Sequence, residues 1–195
     1  MHPSPLRILA VLLFAGSLAS AHAASSGPTP ILRPHVLSLM PGVRLGPGHP
    51  GGFLLTQAFK KYRIYPSGLV IMGRGDLINL HYLDAYRFPG IGGRGGLGWA
   101  FLNTTTNEGG KPTGVSGHLV AALGGGTLIG RNGLSDAALS GLEGLGYRED
   151  VYMQAGLQLD FHFYLRGHGL ALGADVDYDF FGQFFLCRFS LGYLF

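Results

Sequence analysis

Residues 151–195 alternate between apolar and polar side chains with a period of two. In 151–166 the odd positions are apolar, from Val151 and Met153 through Leu157, Leu159, Phe161 and Phe163 to Leu165, while Gln154, Gln158, Asp160, His162 and Arg166 occupy even ones. In 169–180 the parity reverses, with Leu170, Leu172, Val176 and Phe180 against Asp175, Asp177 and Asp179. In 183–195 the apolar set is odd again, from Phe185 and Cys187 to Tyr193 and Phe195, with Arg188, Ser190 and Gly192 between them. Alternation of this length predicts three strands, each with one apolar and one polar face.

Upstream the pattern is less regular. Strands are expected at 35–45, 52–64, 68–83, 94–103 and 116–130, which with the last three makes eight. Connections fall near Pro66-Ser67, at 104–115 and at Gly167-His168 on one end, and at 46–51, 84–93, 131–150 and Phe181-Gly182 on the other. Leu69 and Ile71 are odd while Ile78, Leu80 and Tyr82 are even, so 68–83 contains a break in parity. Gly73 and Gly75 between them suit a β-bulge; the rival is a turn at Gly73–Asp76, which would split the strand and alter the count. Pro41 weakens the first strand.

The first 23 residues read as a separate object. Arg7 supplies a basic start, Ile8–Leu18 an apolar stretch of 11 residues, and Ala21-His22-Ala23 an A-x-A cleavage site. This is the pattern of a secretory signal peptide, too short to span a bilayer. The domain expectation is therefore a signal peptide at 1–23 and one barrel at 24–195. Gly supplies 34 of 195 residues, more than twice the usual ~7%, and charged residues are 13%, about half the usual ~25%. An apolar, Gly-rich, charge-poor chain without an apolar run of 18 residues has one way to sit in lipid: a closed β-barrel that pairs its own backbone. The net charge of +3 is small and scattered, so nucleic acid is not an expected partner. Cys187 is the single cysteine, so no internal disulfide forms.

Alternation alone does not say which face points inward. The Phe and Leu residues of the apolar face are too bulky for the interior of a small barrel. The other face carries Gly, Ser and a few charges that can pair, which suits a filled lumen. Phe185 to Phe195 is roughly 33 Å of strand, and a tilt of ~40° turns this into roughly 25 Å of height, the lipid-facing band of outer-membrane barrels. Aromatics mark both ends: Tyr178, Phe180, Phe181, Phe184 and Phe185 at the hairpin tip, Tyr193 and Phe195 at the other.

The ending FFLCRFSLGYLF, with Phe189, Leu191, Tyr193 and Phe195 at alternate positions, resembles the C-terminal assembly signal of Gram-negative outer-membrane barrels. The length is similar to that of the eight-stranded OmpA-domain and OmpX type. The resemblance implies an all-β, antiparallel up-and-down transmembrane barrel in the cell outer membrane, its C-terminus toward the periplasm. It also implies outer-membrane lipids, lipopolysaccharide, the barrel-assembly machinery and periplasmic chaperones as partners.

Two-residue turns at Phe181-Gly182 and Gly167-His168 would set Asp175 opposite Arg188 and Asp160 opposite Asp175. Asp160, Asp175 and Arg188 are thus expected to form one lumen charge network that fills the barrel; a paired-carboxylate site is the rival. His81, His118 and His162 are expected to face the lumen too, and Asp160 and His162 share a face as a general-base pair would. No Ser is securely beside them, so no catalytic residue is assigned, and no metal or cofactor is expected. Arg74-Gly75-Asp76 forms an RGD tripeptide, read as a Gly bend flanked by charges. The leading function is a non-enzymatic barrel for envelope integrity or surface interaction, with loop 131–150 as its main exposed surface and a short helix at 135–145 capped by Ser135. The alternatives are a lipid A-modifying enzyme of acyltransferase or deacylase type, or a narrow, porin-like pore. The His-x-Ser motif of the deacylase family is absent from residues 24–195: none of His35, His49, His81, His118, His162 and His168 is followed two residues later by Ser.

Overall fold

The computed structural model describes residues 32–46, 53–82, 86–108, 111–128, 151–166 and 168–195. The segment 1–23, expected to be a signal peptide, the expected loop 131–150 with its helix, and most of 46–51 lie outside the described residues. The strands are β1 (His35–Leu45), β2 (Phe53–Ile64), β3 (Leu69–Tyr82), β4 (Tyr86–Asn103), β5 (Thr106–Glu108), β6 (Lys111–Leu128), β7 (Val151–Leu165), β8 (His168–Asp179) and β9 (Phe184–Leu194). Each of the eight long strands pairs antiparallel with its sequence neighbour, β4 pairs directly with β6, and β1 pairs with β9. The result is a closed eight-stranded up-and-down barrel. The short β5 folds back on the start of β6 as a hairpin outside the ring of eight.

Closure rests on the pairing of β1 with β9, from Val36↔Leu194 to Leu45↔Phe185. Two backbone hydrogen bonds between His35 and Phe195, at 3.2 and 3.1 Å, extend the seam beyond the last strand pair. Pro41 sits inside β1 after all. The pairing with β9 lapses there, between Leu39↔Leu191 and Gly42↔Arg188, as a residue without an N–H requires.

Three expectations are corrected. First, β3 runs without bulge or turn: its register to β2 and β4 is continuous through Gly73, Gly75 and Asp76. The apparent parity break arises because the barrel buries Val70, Met72 and Ile78 inside, on the face that also holds Arg74 and Asp76. Second, β4 begins at Tyr86 and β6 at Lys111, so 86–93 is strand rather than loop. A strand made largely of Gly offers no apolar stripe to read. One bulge does occur, at Phe101 between Ala100↔His118 and Leu102↔Gly117.

The third correction concerns register. The connection from β7 to β8 lies between Leu165 and His168, with Arg166 in the turn at φ 53°. It is displaced by one residue from the expected turn, which slides the β7–β8 register by two. Asp160 therefore faces Gly173, and Asp175 faces Gln158. The β8–β9 connection keeps the expected register, Asp175↔Arg188, although its turn spans Phe180–Gln183. There the Asp179 carboxylate accepts from the amides of Phe181 and Gly182 at 3.1 and 2.9 Å, and the Asp179 carbonyl accepts from Gln183 at 2.8 Å.

Close strand approach makes some glycines irreplaceable and others free. A Cβ on Gly98 of β4 would stand 2.7 Å from the Cα of Val120 in β6, whereas one on Gly73 or Gly75 would meet nothing within 4 Å. Gly98→Ala should thus lower stability by about 1–3 kcal/mol, the usual cost of overpacking. Gly73→Ala and Gly75→Ala should be neutral or stabilise by up to ~1 kcal/mol. Urea unfolding of the barrel in lipid vesicles checks the contrast.

Candidate functional site

The two faces of the wall have opposite chemistry. Outside stand Leu37, Leu97, Trp99, Leu157, Leu165 and Phe189, among many other large apolar side chains, with Phe189 72% exposed. The other residues of the C-terminal pattern, Leu191, Tyr193 and Phe195, are also about half exposed on the outer surface. Cys187 lies on the same face as a free thiol, level with Val176 and Val43. Inside, and essentially inaccessible, are Lys60, Arg74, Asp76, Arg94, Gln154, Gln158, Asp160, Asp175, Asp177 and Arg188. This inversion of the usual soluble pattern is the construction of a transmembrane β-barrel. Aromatic clusters stand at both ends. Tyr178 packs on Phe180 and Phe185 with centroids 5.4 and 5.1 Å apart, while Tyr193 and Phe195 stack at 6.2 Å. Phe184 departs from the expected girdle: it turns inward, and the Arg44 guanidinium sits 4.5 Å over its ring.

Six charged side chains in the lumen form a closed alternating ring. Arg74 donates from Nε to Asp76 at 2.6 Å and from Nη1 to Asp175 at 2.9 Å. Asp76 also pairs with Arg94 Nε at 3.3 Å, and Arg94 reaches on to Asp177. Arg188 completes the ring, donating to Asp177 and, from Nε and Nη2, to both oxygens of Asp175 at 3.2 and 2.8 Å. Three cations face three anions. Gln154 and Gln158 brace the ring from β7: Gln158 accepts from Arg74 at 3.4 Å, and Gln154 accepts from Arg94 and donates to Asp179 at 2.9 Å. Glycines on the adjoining strands make room for it. A Cβ on Gly42, Gly124 or Gly156 would collide with Arg188, Arg94 or Asp177 respectively.

Of the three residues singled out in sequence, Asp175 and Arg188 stand together in this ring. Asp160 does not join them; it pairs with Lys60 at 3.0 Å and accepts from the Tyr62 hydroxyl at 2.7 Å. Gln158 also donates to Asp160, and Lys60 donates to Ser190 at 3.2 Å. Arg74, Asp76, Arg94 and Lys60 escaped the sequence reading, and Asp177, placed on the polar face, was not assigned to the network. The signal for Arg74 and Asp76 was the RGD tripeptide itself: two residues apart on a strand, the two side chains share a face and here both point into the barrel.

Toward the end that holds Leu32 and Phe195, the lumen becomes aromatic and then apolar. His118 and His162 are fully buried with ring centroids 4.6 Å apart, and Tyr62 stands 4.8 Å from His162. His162 Nδ1 lies 3.4 Å from the Tyr164 hydroxyl, while both His118 nitrogens and His162 Nε2 have no hydrogen-bond partner. With Asp160 held by Lys60 and Tyr62, this is not an acid–His pair of the general-base kind. Among the described residues no group of three metal-ligating side chains occurs. The His81 side chain lies outside the described residues. Leu32, Val36, Ile64, Val70, Met72, Val120 and Leu194 close the floor.

No protein-family model matches the chain, and no curated protein matches its sequence. Among solved structures it is similar to that of Ail, the attachment invasion locus protein of Yersinia pestis. The TM-score is 0.42 at 11% identity, over 84% of this chain and 97% of that one.

Arg188→Met would leave Asp175 and Asp177 buried without their shared cation. Removing one partner of such a network costs about 3–5 kcal/mol. In double-mutant cycles of vesicle unfolding, Arg188→Met should couple with Asp175→Asn by about 0.5–3 kcal/mol and be additive with Asp160→Asn within about 0.5 kcal/mol. Strong coupling to Asp160 would contradict the register of β7 and β8.

Proposed function

We propose that this chain is a non-enzymatic outer-membrane barrel, delivered by a cleaved signal peptide at 1–23. It serves as a rigid membrane anchor for segments presented at the cell surface. The observation that carries this reading is the lumen. An unbroken ring of ion pairs crosses it, and an apolar floor lies beneath, so the barrel offers its ends rather than its interior for work. That filling speaks against the porin-like alternative. The acyltransferase alternative needs an apolar, substrate-sized interior, which a ring of six charges does not supply. By the resemblance of the C-terminus, the end holding Phe195 faces the periplasm, and 131–150 faces outward, where it would meet lipopolysaccharide and external partners.

The test uses a null strain carrying either the full chain or a variant in which 131–148 is replaced by a short Gly-Ser linker. Both barrels should migrate differently in cold and boiled detergent-gel samples, and lipid A should have the same mass profile in all strains. Attachment of cells to surfaces should fall to the null level in the linker variant alone. Full attachment without the loop would overturn the role assigned to it. Steady ion conductance of the purified barrel in planar bilayers would overturn the closed lumen.

A further inference from the structure

Charge is segregated across the barrel wall. Every Asp whose side chain is described, namely Asp76, Asp160, Asp175, Asp177 and Asp179, is buried inside. The described charged side chains on the outside are all cationic: Arg33, Lys61, Arg63, Lys111 and Arg166. All stand at the end that holds Leu32 and Phe195. Lys111 lies opposite Glu108 in the β5–β6 hairpin. The other four face no acid: Lys61 lies between His35 and Gly73, Arg63 lies beside Ile71, Arg33 precedes β1, and Arg166 occupies the β7–β8 turn.

A belt of rings adjoins these cations: Phe59 and Tyr193 lie on the membrane side of Lys61, and His35 and Phe195 are level with it. Phe59, His35 and Phe195 pack mutually at 5.8–6.3 Å, Phe195 stacks on Tyr193 at 6.2 Å, and Tyr193 stacks on His168 at 5.9 Å. The Tyr193 hydroxyl and His168 Nδ1 are 2.8 Å apart. The belt thus crosses four adjacent strands, β2, β1, β9 and β8. Rings of this kind mark the boundary between acyl chains and headgroups. Lys61 and Arg63 follow Phe59 on the same face of β2, roughly 7 and 13 Å farther along the strand. At a tilt of ~40° that is roughly 5 and 10 Å in height. The headgroup layer is about 5–8 Å deep on each side, so Lys61 stands at the level of lipid phosphates and Arg63 just beyond them, within reach of its long side chain.

We propose that Arg33, Lys61, Arg63 and Arg166 form a collar that binds anionic phospholipid headgroups in the leaflet at this end. The proposal rests on the reading of the chain as a barrel spanning the outer membrane. The guanidinium forks suit phosphodiester oxygens, and the long aliphatic stems let the charged heads reach the phosphates. The excess of outward positive charge is what an anionic surface complements.

Trp99 is the only tryptophan of the chain, is outward-facing, and lies in β4 at the same end, opposite Leu69. Leu97, two residues before it, is level with Ile71 and hence with Arg63. Trp99 therefore reports on lipids beside the collar. The full chain is folded into mixed phosphatidylcholine and phosphatidylglycerol vesicles in which one lipid carries brominated acyl chains that quench Trp99. The expected preference for phosphatidylglycerol is about fivefold, the equivalent of roughly 1 kcal/mol for one cation near a charged surface. It should fall sharply in the Lys61→Gln, Arg63→Gln, Arg166→Gln variant, which keeps only Arg33 of the collar, shrink in Lys61→Gln alone, and collapse in about 1 M salt. Equal quenching by the two lipids in the wild type, or an unchanged preference in the triple variant, would overturn the collar. Abolition by millimolar inorganic phosphate would overturn it in favour of a free-anion site. A wild-type chain with no cold-versus-boiled gel shift would instead sink the barrel reading itself.

Discussion

A sheet immersed in lipid has no water to satisfy its edge, so every backbone N–H and C=O must be paired by the chain itself. The seam between β1 and β9 meets this constraint, and the rest of the structure follows from it. Once the sheet closes, each strand has one face toward lipid and one toward a narrow interior. Among the described side chains the even positions of the long strands other than β8 then point inward, up to the bulge in β4, as the burial of Met40, Lys60, Arg74, Arg94, His118, Asp160 and Arg188 records; in β8 the odd positions do. A shift of one residue at any seam would turn charges into lipid and leucines into the lumen, so register is strongly specified.

The interior must then dispose of its charges in a space of low polarity. A lone buried cation there is costly, and an ion pair recovers that cost only when its geometry is good and its remaining donors are used. The ring from Arg74 through Asp76, Arg94, Asp177 and Arg188 to Asp175 balances charge by giving each member two opposite neighbours, while Arg74 Nη2 and Arg188 Nη1 are left without a hydrogen-bond partner among the described residues. The lumen glycines follow from the same demand, because guanidinium stems need space beside a neighbouring strand. Gly42, Gly124, Gly156 and Gly173 are thus room made for Arg188, Arg94, Asp177 and Asp160.

The strands of 151–195 were legible because both faces of the wall leave a strict alternation there, and the β8–β9 register followed from its turn. The strand order, the Asp175–Arg188 pair and the outward Phe189-Leu191-Tyr193-Phe195 stripe could be read without coordinates. The partner of Asp160 could not be read. One residue of turn placement at Arg166 moves the register by two, and the true partner, Lys60, lies a hundred residues upstream on a strand that does not adjoin β7. Arg94 was hidden by its setting in a glycine run that carries no period. The parity break in β3 was a misreading of a real feature: the lumen is not polar throughout, and Val70 and Met72 belong to its floor.

The central claim is that the odd face of β9 meets lipid and the even face meets the ion ring. Single cysteines placed at 185–193 in a Cys187→Ser background, labelled with a small fluorophore in folded vesicles, test it directly. Positions 185, 187, 189, 191 and 193 should be quenched by lipids labelled on their acyl chains and protected from water-soluble quenchers. Even positions should be protected from both, with position 188 resisting labelling unless the barrel is unfolded. Quenching of even positions by lipid, or free access of aqueous quencher to 188, would contradict the account.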